Sequence, residues 1–378
     1  MSFSSPLTRQ MLAMAAVLAW GLVPAPGTSG RLRAVLGSDE LSRNDYERME
    51  RGYYERLLDS SRALDRLAVA PTKPAAGRGA SVPFAEEPLV SAVDDLREYV
   101  LKPNLSEEHF GKRWSTNALG MRDRSYSVVK PPHTLRIAFV GDSIGAGWGV
   151  GDGEGFEPLV ERWLDERSRE AAGPAVEVLN FAVPGHGPGA RWHHFGKLGW
   201  PLGPDLVIFE STLADAGWDE RRLRVLLPLG KGWDSPLYRD ILARAGARPG
   251  GDAEAYKHIL RPWRSELLAS VYRTVVADCR SAGVPCVWLL VPRVGKVASL
   301  EDRRRMIDQA RAAGVTTIVD LSDAYDGLDP RTLAIGPNDY HPNAEGHARL
   351  AQRLAAALAD QPDLLRLGVD ATEEGTPR

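Results

Sequence analysis

From residue 134 onward the chain alternates short, almost wholly apolar runs with longer amphipathic ones, and this restricts its fold more than any other feature of the 378 residues. The apolar runs are LRIAFV (135–140), VEVLNFAV (176–183), DLVIFES (205–211), VPCVWLLV (284–291) and TTIVDL (316–321). A strand with one wet face alternates polar and apolar residues. Runs this uniform bury both faces, as in a parallel sheet covered by helices on either side. The segments between them read as helices over 156–170, 253–283, 301–314 and 344–360, the last with Asn343 as N-cap. Strands joined in this way predict a three-layer α/β/α sandwich on a five-stranded parallel sheet of the doubly wound, flavodoxin-like kind. Residues 219–252 fit the alternation poorly and are expected to form an insertion over one sheet edge.

The segment before residue 131 has a different character. MLAMAAVLAWGLV, residues 11–23, follows a single positive residue, Arg9. Its length makes a helix of roughly 20 Å, short of a hydrocarbon core of ~30 Å. That suits the apolar region of a secretory signal, with Val23-Pro24-Ala25 as a tolerable cleavage site. The runner-up is an uncleaved anchor attaching the protein to a membrane. The expectation is therefore export, to the periplasm, the cell envelope or the medium. Residues 1–30 are assigned to the signal or anchor. Residues 31–130 are assigned to a helical extension (Asp45–Leu64, with Asn44 as N-cap) and a Pro/Ala/Gly-rich linker over 70–89. Residues 131–362 form the α/β domain, and 363–378 are a frayed tail.

Composition removes several classes of function. A formal charge of −3 gives no electrostatic footprint for nucleic acid. Two cysteines, Cys279 and Cys286, exclude a disulfide framework. They read as small hydrophobes beside a strand, with a single local disulfide as the alternative in an exported chain. His186, His193, His194 and His347 lack the spacing of a metal site and are expected to pack or face solvent, so neither metal nor other cofactor is expected. The glycines at 145, 147, 149, 151, 153 and 155 begin no G-x-G-x-x-G, which removes dinucleotide binding.

In an open α/β sheet, ligands sit beyond the carboxyl ends of the strands. Ser143 follows the first sheet strand at that rim, Gly185 the second and Asp215 the third, while His341 precedes the last helix. A serine hydroxyl becomes a good nucleophile when a histidine takes its proton, and the histidine needs an acceptor on its other nitrogen. Asp339 is the candidate acceptor. Backbone N–H groups of Ser143 and Gly185 are the candidate donors to an oxyanion. Asp142 is expected to shape the turn by bonding nearby amides. Gly141-Asp142-Ser143-Ile144-Gly145 also satisfies G-x-S-x-G. The nucleophile elbow of α/β-hydrolases, however, follows several strands and takes its acid from a separate loop.

The blocks GDSIGAGWGV, NFAVPGHGPG and DYHPNAEGH resemble blocks one, two and five of the SGNH (GDSL) hydrolase family, and the lead-in STNALGMRD…KPPHTLRIAFVGDS is similar to its exported bacterial members. The resemblance covers about residues 115–360. It implies an esterase or acetyl-transferring enzyme with Ser143 as nucleophile, His341 as base, and the Ser143 and Gly185 amides at the oxyanion. Two positions depart from the family pattern. Asp215 stands where the family places an oxyanion-donating asparagine, and a carboxylate ~4 Å from an oxyanion would cost about 4 kcal/mol, or a thousandfold in rate. Asp215 must then be protonated, be turned away, serve another purpose or leave a feeble hydrolase, and a protonated or substrate-contacting Asp215 at the oxyanion is the favoured expectation. The aspartate usual three residues before the histidine is replaced by Asn338, with Asp339 one place later. Asp-x-His recurs in related alginate-acetylating enzymes, so Asp339 is taken as the histidine's partner and Asn338 as the fallback.

Trp148, Trp192, Trp218 and Trp233 are read as loop residues near the rim, and Arg293 as reaching the same edge. Trp148, Trp192 and Arg293 are the candidate substrate contacts. The reading is an exported serine esterase that hydrolyses an acyl, foremost an acetyl, ester of a glycan or small molecule. The alternatives are an O-acetyltransferase acting on envelope polysaccharide and a non-catalytic envelope binding protein.

Overall fold

The computed structural model describes residues 88–361 except 297, 298 and 338. The expected signal or anchor, the helix over 45–64, the linker up to residue 87, the fallback partner Asn338 and the C-terminal tail lie outside these residues. No helix among the described residues is long and apolar enough to cross a membrane.

Residues 88–130, which the sequence reads as an irregular lead-in to the first sheet strand, contain regular elements. They carry two antiparallel pairs: β1 (Val90–Ala92) with β2 (Tyr99–Leu101), and β3 (Ser106–His109) with β4 (Lys112–Ser115). These strands are three or four residues long and their burial is uneven, so they leave little periodicity in the sequence.

The remainder follows the expected plan. The chain runs through β5 (Thr134–Val140), α1 (Phe156–Glu170), β6 (Ala175–Asn180), α2 (Pro188–Leu198), β7 (Leu206–Ser211), α3 (Trp218–Leu226), α4 (Arg239–Arg244) and α5 (Ala253–Leu260). It continues through α6 (Arg264–Ala282), β8 (Cys286–Leu290), α7 (Leu300–Ala312), β9 (Thr317–Asp320) and α8 (Ala344–Ala359). The five long-range strands form one parallel sheet in the order β6-β5-β7-β8-β9. β5 and β7 are buried at every position, as their uniform apolar sequences require. One core layer sets Phe156, Val160 and Leu164 of α1 and Leu350, Leu354 and Leu358 of α8 against the sheet. The opposite layer uses Phe195 of α2, Leu223 of α3, Val271 and Val275 of α6 and Met306 of α7.

Two local expectations change. The helix expected over 253–283 is interrupted at Arg261–Trp263 by a 3-10 turn around Pro262, whose ring and missing N–H cannot continue an α ladder. The poorly patterned stretch 219–252 contains α3 and α4, and Leu223, Leu226, Tyr238, Ile241 and Leu242 make it part of the core. The Asn343 cap is present, its side chain accepting from the Gly346 N–H at 3.0 Å. With β5 flanked by β6 and β7, the chain departs in opposite directions on either side of β5. The crevice above that switch point is where this sheet class binds ligands.

Candidate active site

β5 ends at Val140 and the chain folds at once into the turn that carries Ser143. Asp142 organises this turn: its Oδ1 accepts from the Ile144 N–H at 3.0 Å and its carbonyl from Ala146 N–H at 2.9 Å. Beneath lies Glu210, near the end of β7 and fully buried. Its Oε2 accepts the Asp142 N–H at 3.0 Å. Burial, together with the neighbouring Asp142 charge, pushes the Glu210 carboxyl well up, with Arg191 opposing. Gly141 is required here because a Cβ at that position would lie 2.0 Å from Glu210 Oε2.

His341 arrives from the loop before α8. Its backbone carbonyl accepts from Ile335 N–H at 3.0 Å, and Tyr340 O accepts from Val294 N–H at 2.9 Å, so both flanks of the loop are tied to the domain. The imidazole Nε2 is 2.8 Å from Ser143 Oγ and Nδ1 is 2.7 Å from Asp339 Oδ1. An ionised carboxylate can only accept, so Nδ1 carries the proton and Nε2 is left to accept from the serine. Asp339 Oδ1 also accepts the His341 backbone N–H at 2.8 Å. Burial would raise the Asp339 carboxyl, but the bonds and charge offered by His341 hold it below its ordinary value.

Gly185 lies in the turn after β6 with φ +79°, in the left-handed region that glycine enters without strain. Tyr99 of β2 presses on this turn. Its hydroxyl donates to Pro184 O at 3.0 Å, and its carbonyl accepts from His186 Nε2 at 3.0 Å. Among the described residues neither the Ser143 nor the Gly185 N–H has an acceptor, so both remain available to an incoming oxygen.

Asp215 departs from the favoured expectation and matches the alternative in which it is turned away. It is the third residue of a 3-10 turn, Leu213–Gly217, where it forms a capping box with Thr212. Its carboxylate is fully buried and held at both oxygens by Arg191, at 2.8 Å from Nη1 and 3.0 Å from Nη2. Burial raises its carboxyl above the ordinary value, with Arg191 opposing. Asp215 is therefore turned into the protein, and neither oxyanion contact nor substrate contact describes it. Arg191 had no place in the sequence reading. It spends all five N–H donors here: on His186 O, Glu210 O, Asp142 Oδ2 and the two oxygens of Asp215. Glu210 was equally overlooked, and a carboxylate inside the otherwise apolar LVIFES was the signal that a buried partner had to exist.

The aromatic expectations divide. Trp148 stands beside the site, its ring centroid 6.4 Å from that of His341. Tyr340 packs on His341 with the rings tilted and their centroids 4.2 Å apart, and Arg293 lies over Tyr340 at 4.6 Å, which brings Arg293 to this edge. Trp192 is not a substrate contact. It is buried in α2 against Phe195 and Phe209, and its Nε1 donates to Asp278 at 2.8 Å. Trp233 likewise packs on Tyr256 and donates to Leu227 O, and Trp218 begins α3 rather than lying in a loop. His186, His194 and His347 are buried packing residues. Among the described residues no group of His, Cys, Asp and Glu could hold a metal ion. Cys279 and Cys286 are unbridged thiols.

No curated protein matches the sequence. Among solved structures, a two-domain esterase active on acetylated mannans, crystallised with mannopentaose, is similar at 16% identity and a TM-score of 0.41 over 60% of this chain and 49% of that one. The chain thus spans about half the length of that esterase. An acetylxylan esterase from Geobacillus stearothermophilus is similar at 16% identity and a TM-score of 0.40, over 61% of this chain and 96% of that one. Residues 139–349, from the end of β5 into α8, match the GDSL-like lipase/acylhydrolase family. This match spans more than half of the chain and includes Ser143, Gly185 and His341. The chain belongs to the GDSL-like lipase/acylhydrolase family.

Proposed function

We propose that the protein is an exported serine esterase that removes an acyl group, foremost acetyl, from a glycan, with Ser143 as nucleophile, His341 as base and Asp339 as the residue that orients the imidazole. The observation that carries this reading is the unbroken chain of contacts from Ser143 Oγ through His341 to Asp339, at 2.8 and 2.7 Å. His341 Nε2 takes the hydroxyl proton as Ser143 Oγ attacks the ester carbonyl carbon. The oxyanion that forms accepts from the free N–H groups of Ser143 and Gly185, donors held in place before the charge appears. His341 then returns the proton to the departing sugar oxygen, and water releases the acyl group by the reverse path. An inward-facing histidine bonded to the serine speaks for an enzyme rather than a binding protein. Aromatic side chains beside His341 suit a sugar neighbour. The test is labelling with a fluorophosphonate probe alongside release of acetate from acetylated oligosaccharides. Ser143→Ala should abolish both. A wild-type protein that stays unlabelled and releases no acetate would refute the reading.

A further inference from the structure

The hairpin of β3 and β4 turns through Phe110 and Gly111, and both have positive φ, +52° and +67°. Two-residue turns with this backbone favour Asn-Gly, because a bulky side chain in the left-handed region is strained. Here the first position holds a phenylalanine that is 57% exposed. Strain and exposure are two separate costs at one residue, and outliers of this kind gather at ligand sites.

The ring is not isolated. Phe110 meets Trp148 edge-on at 5.5 Å, and Trp148 stands 6.4 Å from His341. His109 packs on the same indole at 4.4 Å and Trp114 at 5.6 Å. Arg122 covers Trp114 at 3.8 Å while donating to the carbonyls of Ala146 and Gly147 in the serine turn. Ser115 is fixed to Asp152 through its amide at 3.0 Å and its hydroxyl at 2.6 Å. The hairpin is therefore moored to the loop that carries Trp148, and its exposed ring is held in a set position two aromatic rings out from His341. It also lies outside residues 139–349, the segment shared with the family.

We propose that Phe110, supported by Trp148, is a stacking subsite for the apolar face of a pyranose ring that neighbours the acylated sugar. The occupant is thus an oligosaccharide rather than a simple ester. This rests on the esterase reading above, because it takes Ser143 and His341 as the reacting centre. A rigid aromatic face offers a sugar's C–H groups contact area at little conformational cost.

Binding of unacetylated xylo- and manno-oligosaccharides to the full chain, measured by titration calorimetry, tests the subsite without requiring catalysis. Phe110→Asn supplies the residue that the turn prefers, so the fold is retained and its melting temperature should not drop. The variant should bind about tenfold more weakly, the loss of roughly one aromatic contact, and Phe110→Tyr should restore affinity. A wild-type protein that binds none of these oligosaccharides overturns the proposal, as does a Phe110→Asn variant that binds as tightly as wild type. Binding that depends on Phe110 in a protein that no fluorophosphonate labels and that releases no acetate would uphold the sugar contact at Phe110 and refute the esterase reading, and with it the neighbouring acylated sugar.

Discussion

The guanidinium of Arg191 holds both carboxylate oxygens of Asp215, at 2.8 and 3.0 Å, and a further bond of 2.8 Å ties it to Asp142, the residue before Ser143. One side chain of α2 thereby joins the serine turn, the end of β7 and the 3-10 turn beyond it. This explains how an aspartate is tolerated at a position where a bare carboxylate would oppose an oxyanion: its charge is directed away and matched inside the protein.

Removing the guanidinium should be costly. Arg191→Met leaves Asp215 and Asp142 without their counter-charge in a buried site, and a loss of about 3–5 kcal/mol is expected in denaturant unfolding. Asp215→Asn added to it should recover part of that loss. Asp215→Asn alone should not strengthen fluorophosphonate labelling, since it strands Arg191 instead. Wild-type stability in Arg191→Met would show that the network carries little energy.

Asp339 is expected to matter through orientation. Asp339→Asn keeps the shape but no longer fixes the proton on His341 Nδ1, so kcat should fall by about 10²- to 10⁴-fold while KM changes little. Asn338→Ala should leave kcat within about threefold of wild type, because Nδ1 is already engaged by Asp339. Reversed sizes for the two variants would assign the partner role to Asn338.

Tyr99 and Gly185 form a buttress that steady-state kinetics and melting can examine together. A Cβ at Gly185 would meet Tyr99 Oη at 2.3 Å, and the φ of +79° is itself unfavourable for alanine. Gly185→Ala should lower stability by about 1–3 kcal/mol and reduce kcat. Combining it with Tyr99→Phe removes the steric clash together with the bond to Pro184 O, so the double variant should lose less stability than the sum of the two single losses. Additive losses would mean that the two residues do not press on one another.

A pH dependence of stability follows from Asp219, fully buried at the start of α3. Burial pushes its carboxyl up to about 7, opposed by the Gly189 N–H and the Tyr238 hydroxyl. An unfolded aspartate titrates near ~3.9, so between about 4 and 7 the folded chain holds a proton that the unfolded chain has released. The stabilising contribution is therefore complete below about 4 and is lost as pH rises to 7. Thermal melts at pH 5 and pH 8 should differ less in Asp219→Asn than in wild type. An unchanged difference would place the titration elsewhere.

Much of this was readable in one dimension. The five sheet strands, three of the helices and the Asn343 cap follow from hydrophobic period and capping chemistry, which are properties of residues adjacent along the chain. Ser143, Gly185 and His341 could be placed on one rim because strand ends in a parallel sheet share an edge. Asp339 could be paired with His341 because only one residue separates them. The short pairs β1–β2 and β3–β4 escaped notice, since three or four residues carry too little pattern to distinguish a strand from a loop.

The sequence by itself determined the sheet, its direction and the rim at which Ser143 and His341 meet, because burial on both faces and the topology of a parallel sheet are written in local apolar runs. Only the tertiary structure decided that Asp215 faces Arg191, that Trp192 belongs to the core, and that Tyr99 packs on the Gly185 turn and Phe110 on Trp148. A buried charge or an aromatic ring takes its role from the partner that another element brings to it, and no pattern among its own neighbours records who that partner will be.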